Sequence, residues 1–378
     1  MTAATTPRQG PRDTRMLVID EYGVIRHHHA KDVPVLLRRG DLVVANDAAT
    51  IPASLRGIHL PTGRAVEVRL AGRRSLAADA VQRFTVVLFG TGDYRTPTEH
   101  RERPPVPGVG DALLVGSLRA TVVGILGHPR LVEIEFSHAA GEIWQAIGRQ
   151  GRPIQYAYVP DPLAIWDTWT SIANTPVAFE APSAGFILDW AMLGAIRARG
   201  ARFATITHAA GISSTGDTEL DRMLPLDEPY CIPRTTAALI RQTIQRGGRI
   251  VAVGTTVVRA LEDAARLPGW VLPGNGIATQ RITPQSQLRV VDAIVSGLHE
   301  CGSSHYALLG AFHGDRALQQ MTEEAEARGY LAHEFGDAVF VARDASSRGT
   351  QASVGSTAGR HRDTWRPSAH RAARSPAG

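Results

Sequence analysis

Cysteine is nearly absent from this chain: Cys231 and Cys301 are the only two in 378 residues. A pair this sparse builds neither a disulfide framework nor a metal-ligand set, and the sequence reads as that of a cytoplasmic protein in a reducing compartment. Lysine is rarer still, with Lys31 alone among 41 basic residues, a bias of coding composition rather than of chemistry. No run of 18 apolar residues occurs, so no membrane span is expected. The polar opening residues 1–15 lack the apolar stretch of a secretion signal. Several signatures are also missing. No Gly-x-Gly-x-x-Gly follows a strand and there is no P-loop, which removes the two common nucleotide fingerprints. His-Glu-x-x-His and the nucleophile elbow are absent too. The adjacent His27, His28 and His29 point in different directions and make a poor metal site, so no metal is expected.

The net charge of +5 is unevenly placed. From residue 344 to the end there are six Arg against two Asp, so +4 of it sits in the last 35 residues and the body is close to neutral. Residues 344–378, rich in Ser, Gly, Ala, Arg and Pro, read as a disordered basic tail. Tight binding of nucleic acid normally needs many phosphate-neutralising side chains, which the body does not advertise.

What is present is a regular alternation of buried strands and helices. In residues 247–262, GGRIVAVGTTVVRALE, two glycines end a polar helix and a β-branched run suits a strand buried on both faces. Gly254, Thr255 and Thr256 then form a turn into a helix, with a Thr hydroxyl as its cap. Helix-surface spacing pairs Arg259 with Glu262. A second buried strand, residues 41–45, delivers Asn46 and Asp47 into a loop. Polar groups just past a strand end are site candidates, and an Asx turn is the plainer alternative. Thr235 stands where a cap of the helix 235–246 belongs, and residues 331–342 read as a closing strand pair around Gly336 and Asp337. Between residues 61 and 149 the texture changes to five short, partly alternating apolar runs separated by turn residues, an all-β module. The expected fold is therefore α/β: a layered α/β/α sandwich of residues 1–60 and 150–343, interrupted by an antiparallel β-barrel of residues 61–149.

Several stretches together resemble one family, the S-adenosylmethionine:tRNA ribosyltransferase-isomerases of queuosine biosynthesis. They are TRMLVID (14–20), GDLVVAND and IPASLRG (40–57), GRPIQYAYV (151–159), APSAG (181–185), GGRIVAVGTTVVRALE (247–262), VVD (290–292), His299 and FGDA (335–338). The resemblance spans nearly the whole body in order, and it implies the same layered fold with an inserted barrel. It also implies the chemistry. S-adenosylmethionine serves as donor of its ribosyl part; a base removes a proton beside the sulfonium; adenine and methionine depart; an amine of a deazaguanine base in tRNA is the acceptor; and no metal takes part.

Carried onto this sequence, the resemblance gives His299, Asp47 and Glu228 as catalytic candidates. It gives Asn46, Ser183, Gly185, His208, Gly254, Thr255, Thr256, Arg259 and Ser303 as candidates for binding the donor. His299 is the best-placed proton-transfer group, since an unperturbed imidazole titrates near neutral pH.

The departures fall on particular residue types. After APSAG the family's Leu-His-Phe is replaced by Phe186-Ile187-Leu188. Its His-x-Met-His-x-Glu segment reads MLPLDE, keeping Glu228 alone. Its Asn-Phe-His-Leu-Pro-Lys-Ser becomes GLHECGS, with Gly297 and Gly302 at the Asn and Lys positions, and an aromatic run becomes ATQRITPQSQ (278–287). Groups that would touch a base, a phosphate or a moving proton are lost, whereas turn and core residues are kept. The expectation is a divergent paralogue with the family scaffold. Its acceptor is either tRNA or a small nucleoside-like molecule, and a non-catalytic nucleoside- or RNA-binding protein on the same scaffold is the third reading.

Overall fold

The computed structural model describes residues 1–7 and 14–346. The tail expected from residue 344 onward falls almost wholly outside the described residues. At the centre lies the strand Leu42–Asn46, buried at every position. Because strand side chains alternate, it supplies both faces of the sheet. Leu42 and Val44 enter one core with Ile250, Ala252, Val257 and Leu261. Val43 and Ala45 enter another with Val251, Val253, Met192 and Ile196. A strand hydrophobic on both sides has to be covered twice, and helices do so. Arg234–Gln245, Thr255–Ala264 and Asp315–Ala327 cover the first face through Ala237, Ile240, Leu261, Leu318 and Met321. Trp190–Ala198 covers the second through Met192, Leu193 and Ile196, and is capped by Asp189 accepting from Met192 N at 2.6 Å. Each such Leu, Ile or Met contributes roughly 1.5–3 kcal/mol by its burial.

The sheet has nine strands in the order Gly274–Ala278, Glu228–Ile232, Arg202–His208, Leu42–Asn46, Ile250–Val253, Ala293–Gly297, Ala338–Ala342, Arg15–Ile19 and Ile25–His29. The third to sixth run parallel, so their carboxyl ends open on one edge. A buried ion pair fixes the start of two of them: Arg249 Nη2 reaches Asp41 Oδ2 at 2.6 Å, with Nε at 3.1 Å. Gly248 is required beside that pair, since a Cβ there would lie 2.3 Å from the Gly40 carbonyl oxygen.

Six antiparallel strands close a barrel in the order Leu118–His128, Leu131–Phe136, Arg83–Phe89, Arg64–Gly72, Ser54–His59 and Ala112–Val115. Its interior is filled at every second position, as Val66, Val68 and Leu70 show, and Phe84 meets Phe136 and Phe179 edge to face at 6.1 and 6.2 Å. Barrel and sheet belong to one compact unit, residues 1–344. The barrel begins ahead of residue 61, its expected start: the strand Ser54–His59, to which sequence reading assigns no element, pairs with Arg64–Gly72 and Ala112–Val115.

Two further local expectations differ from the structure. The helix expected to start at Thr235 starts at Arg234 after Pro233, and no side chain caps it. Thr236 instead sends its hydroxyl to the Thr205 carbonyl at 2.7 Å, joining helix to sheet. The expected closing pair is not a hairpin: Leu331–Ala332 pairs in parallel with Thr2–Ala3, while Ala338–Ala342 joins the main sheet. Asp337, between them, accepts from Leu331 N and Arg15 N at 2.9 Å each, so the turn is fastened to the sheet by a carboxylate.

Candidate active site

The carboxyl ends of the parallel strands border a cavity of about 310 Å³. Its lining draws on APSAG, on the Gly254-Thr255-Thr256 turn and on the segment after Ala293–Gly297. The volume suits part of a nucleoside-sized ligand, at the lower end of the usual range of ~300–1,000 Å³.

Gly254 starts the helix Thr255–Ala264 with φ 97° and ψ 152°, and its N–H donates to the Val295 carbonyl at 2.8 Å. No side chain caps this helix, so the expected Thr cap is replaced by a glycine whose backbone makes the turn. The first-turn N–H groups of a helix have no intrahelical partner, and here that turn lines the cavity. A Cβ at Gly254 would meet Ala184 Cβ at 3.5 Å and Thr256 Oγ1 at 3.6 Å, both ordinary contacts, so the demand is conformational rather than steric. Gly254→Ala is expected to destabilise the fold by roughly 1–2 kcal/mol through left-handed backbone strain, measurable as a lower denaturation midpoint with an unchanged slope.

Asn46 ties the strand ends together from behind the cavity. Its Oδ1 accepts from His208 N at 2.9 Å and Ala48 N at 3.1 Å. Its Nδ2 donates to the His208 carbonyl at 2.9 Å and reaches Thr256 Oγ1 at 3.4 Å. Asp47 accepts from the Thr207 hydroxyl at 2.7 Å. Neither residue lines the cavity, and neither does Gly185, whose N–H closes the turn onto Pro182 O at 2.8 Å.

The pairing of Arg259 with Glu262 is corrected by the structure. Arg259 is buried and bonds Glu228, while its remaining donors go to the carbonyls of Leu226, Ala278 and Gln280 at 3.0, 2.8 and 3.3 Å. Glu262 accepts from the backbone N–H groups of Arg289, Val290 and Val291 at 2.7–3.0 Å. Helix spacing could not show this, because the partners stand on other elements. Glu228 also accepts from Gly211 N at 2.6 Å. Burial pushes its carboxyl above the usual range, and the Arg259 charge opposes that push. His208 is fully buried, with Nε2 3.5 Å from Glu228 Oε2 but without hydrogen-bond geometry to it. Burial, then the Arg259 charge, drives its proton affinity down to about 3, so the ring is neutral.

Of the remaining candidates, Ser183, Ser303 and His299 line the cavity. Ser303 caps the helix Ser304–Leu309, accepting from Tyr306 N at 3.1 Å. His299 stacks on His305 with ring centroids 4.3 Å apart. Its proton affinity lies well below the ordinary imidazole value, first through burial and then through His305 and His333. That corrects the expectation of an unperturbed imidazole: His299 is neutral throughout the neutral range.

Sequence reading missed Glu180, which immediately precedes APSAG and lines the cavity. Its carboxyl accepts from the Tyr156 hydroxyl at 2.5 Å and from Ser213 N at 3.1 Å. Burial, and after it the neighbouring Glu334, raises it to about 7. Tyr156 lies within the recognised stretch GRPIQYAYV, but its contact with a residue 24 positions later leaves no sequence signal. Also missed are His305, held to about 4 by burial and Arg259, and the exposed Arg222 and Arg281 at the cavity. Among the described residues no cluster of three or more His, Cys, Asp or Glu is arranged to hold a metal, and no helix is long and apolar enough to cross a membrane.

Fold and cavity define a layered α/β/α protein with a closed barrel, whose ligand-sized cleft lies where such sheets gather ligands, at the strand carboxyl ends. The S-adenosylmethionine:tRNA ribosyltransferase-isomerase of Pelobacter propionicus is 33% identical over 333 residues, covering 86% of this chain and 92% of its own. The enzyme of the same name from Anaeromyxobacter dehalogenans is 33% identical over 348 residues, with coverages of 90% and 95%. A solved structure, S-adenosylmethionine tRNA ribosyltransferase from Thermotoga maritima, is similar at 24% identity and a TM-score of 0.47, covering 89% of this chain and 95% of its own. The chain belongs to the queuosine biosynthesis protein family, whose pattern it matches over residues 1–341.

Proposed function

We propose that the protein is an S-adenosylmethionine-dependent ribosyltransferase-isomerase that binds its donor in the cavity at the strand ends. The observation that carries this reading is a coincidence of position. APSAG, the Gly254-Thr255-Thr256 turn and the His299–Ser303 segment, which bear the family resemblance, meet on one cavity. The Thr255–Ala264 amino terminus, with Ser183, suits an anionic or hydroxyl-rich part of the donor. His299, neutral and facing the cavity, is the proton acceptor for the carbon beside the sulfonium, whose positive charge makes that carbon acidic. Glu228, compensated by Arg259, sets a fixed field in the cavity wall. Asn46, Asp47, Gly185 and His208 hold the wall from behind, so their part is to keep the cavity in shape. The layered body is the reaction frame, and the barrel strands from Ser54 to Phe136 form an inserted module within it. The protein acts in the cytoplasm, where the free thiols of Cys231 and Cys301 stay reduced.

The names of the relatives support tRNA as the acceptor. A specific observation favours a small acceptor instead: the body carries only +1 of the net +5, little attraction for a polyanion. Supplying S-adenosylmethionine with either an aminomethyl-deazaguanine tRNA or the free aminomethyl-deazaguanine base separates the two. Adenine and methionine release that depends on tRNA supports the first. Release with the free base alone supports the second. No release under either condition rejects the enzyme reading and leaves a binding protein.

A further inference from the structure

The cavity holds a second titratable group whose surroundings oppose those of His299. Glu180 is one half of a doubled arrangement: Tyr156 bonds Glu180, and Tyr158 bonds Glu334. The two Tyr rings stack at 5.8 Å with 9° between their planes, and Tyr158 stacks on His333 at 4.6 Å. His333 has φ 69°, a backbone conformation a non-glycine residue keeps only where its surroundings fix it. Arg69 lies on the Tyr156 ring at 5.7 Å, but its charge is bound to Glu67 at 2.7 Å. Among the described residues no Arg, Lys or His forms an ion pair with Glu180 or Glu334. The other charged or titratable groups that border the cavity are Asp221, Arg222, Glu228, Arg259, Arg281, His299 and His305.

Two neighbouring carboxyls without a counter-cation do not both ionise readily, so one keeps its proton. The member on the cavity is Glu180, raised to about 7, while His299 is driven the other way. A pair of groups pushed apart in this manner divides into acid and base.

We propose that Glu180 is the proton donor of this site, protonating the purine as it leaves the ribosyl carbon, with Glu334 as the positioning residue that keeps the proton on it. The assignment rests on the transferase reading above. In the step, the bond between the ribosyl carbon and the purine nitrogen breaks and its electron pair stays on adenine. The Glu180 proton moves to that base. His299 takes one proton from the carbon beside the sulfonium, whose C–H electron pair stays on that carbon as an ylide, while a ring-oxygen lone pair fills the vacated ribosyl carbon until the acceptor amine bonds to it. One proton thus leaves the donor and one enters the departing adenine. Solvent exchange then returns Glu180 and His299 to their starting states.

The test is adenine release from S-adenosylmethionine across pH, in the presence of the aminomethyl-deazaguanine tRNA and separately of the free base, for the full-length protein, E180Q and E334Q, with donor affinity measured in parallel. The wild-type rate is expected to fall above pH ~7 as Glu180 loses its proton. E180Q is expected to lose ~10²–10⁴-fold in rate, and the alkaline limb with it, at a donor Kd within about threefold. E334Q keeps its rate at low pH, but its alkaline limb moves to lower pH, because removing the like charge lets Glu180 ionise earlier. A merely structural Glu334 would not move that limb. The proposal is overturned if E180Q retains its rate within about threefold, or if the E334Q limb stays in place or moves up. Should E180Q fail to fold, the E334Q profile decides alone. A wild-type protein that binds the donor yet never releases adenine refutes the transferase reading itself, whereas a working wild type beside an equally active E180Q refutes only the role of Glu180.

Discussion

Arg259→Met is expected to destabilise the protein by about 3–5 kcal/mol, the range for breaking one side of a buried ion pair. Both partners are enclosed, with side-chain exposures of 4% for Arg259 and 7% for Glu228, so solvent screens little of the loss. The substitution strands the Glu228 carboxylate with Gly211 N–H as its main partner and leaves the carbonyls of Leu226, Ala278 and Gln280 without their donor. The sign of the pH dependence follows. Without Arg259 the Glu228 carboxyl rises further above its unfolded value, so the folded state binds the extra proton. Stability of the variant then falls as pH rises from the unfolded carboxyl value through the folded one. Pairing Arg259→Met with Glu228→Gln removes the buried charge and is expected to recover part of the loss. Urea denaturation of the two single variants and the double variant at pH 5 and pH 8 measures both effects. Equal stability of wild type and Arg259→Met would show that the pair is not the buried anchor its geometry describes.

His299→Ala is expected to lower the rate of S-adenosylmethionine cleavage by ~10²–10⁴-fold, the usual contribution of one positioned base. Its depressed proton affinity fixes the pH behaviour. A base must be unprotonated to act, so the acid limb of the wild-type profile lies well below the ordinary imidazole value, and activity at pH 5.5 stays close to its maximum. With the alkaline limb set by Glu180 near 7, the optimum falls on the acid side of neutrality. The pH–rate profiles of wild type and His299→Ala, with donor binding as the control for folding, check this. An acid limb centred at 6.5 would mean that a different, unperturbed histidine is in charge.

These expectations differ in how far the sequence anticipates them. The β-branched run of residues 249–253 and the run 41–45 announce strands buried on both faces, and Ile250–Val253 and Leu42–Asn46 lie side by side at the sheet centre. Local chemistry carried that much, because burial on two faces leaves a continuous apolar run. Asn46 and the Gly254 turn were legible for a similar reason: they follow such runs directly. The Ser54–His59 strand was not legible, although its alternating buried and exposed positions fit a barrel wall, because a short run with one Gly and one Arg carries little apolar signal of its own.

The charges were the least legible. Arg259 has Glu262 one helical turn away, and spacing alone selects that partner. The structure gives Arg259 to Glu228, 31 residues back, because both stand where the cavity wall closes. Glu180 meets Tyr156 only after the connector from residue 151 folds against the start of APSAG. The proton affinities of His299 and Glu180 likewise follow first from burial, and then from His305 and His333 for His299 and from Glu334 for Glu180; of these neighbours only His305, six positions on, falls in a local window. The stretches that carry the resemblance meet on the cavity, and the proton-transfer roles proposed for His299 and Glu180 rest on contacts that only the tertiary structure brings together.

The most direct test of the central claim uses S-adenosylmethionine carrying one isotope in the ribosyl carbons and another in the methyl group, followed by mass analysis after reaction with the acceptor. The account predicts that the ribosyl label appears in the product while the methyl label returns in free methionine, with one adenine released per turnover. Methyl label on the acceptor, or a donor recovered unchanged after prolonged incubation, would contradict it.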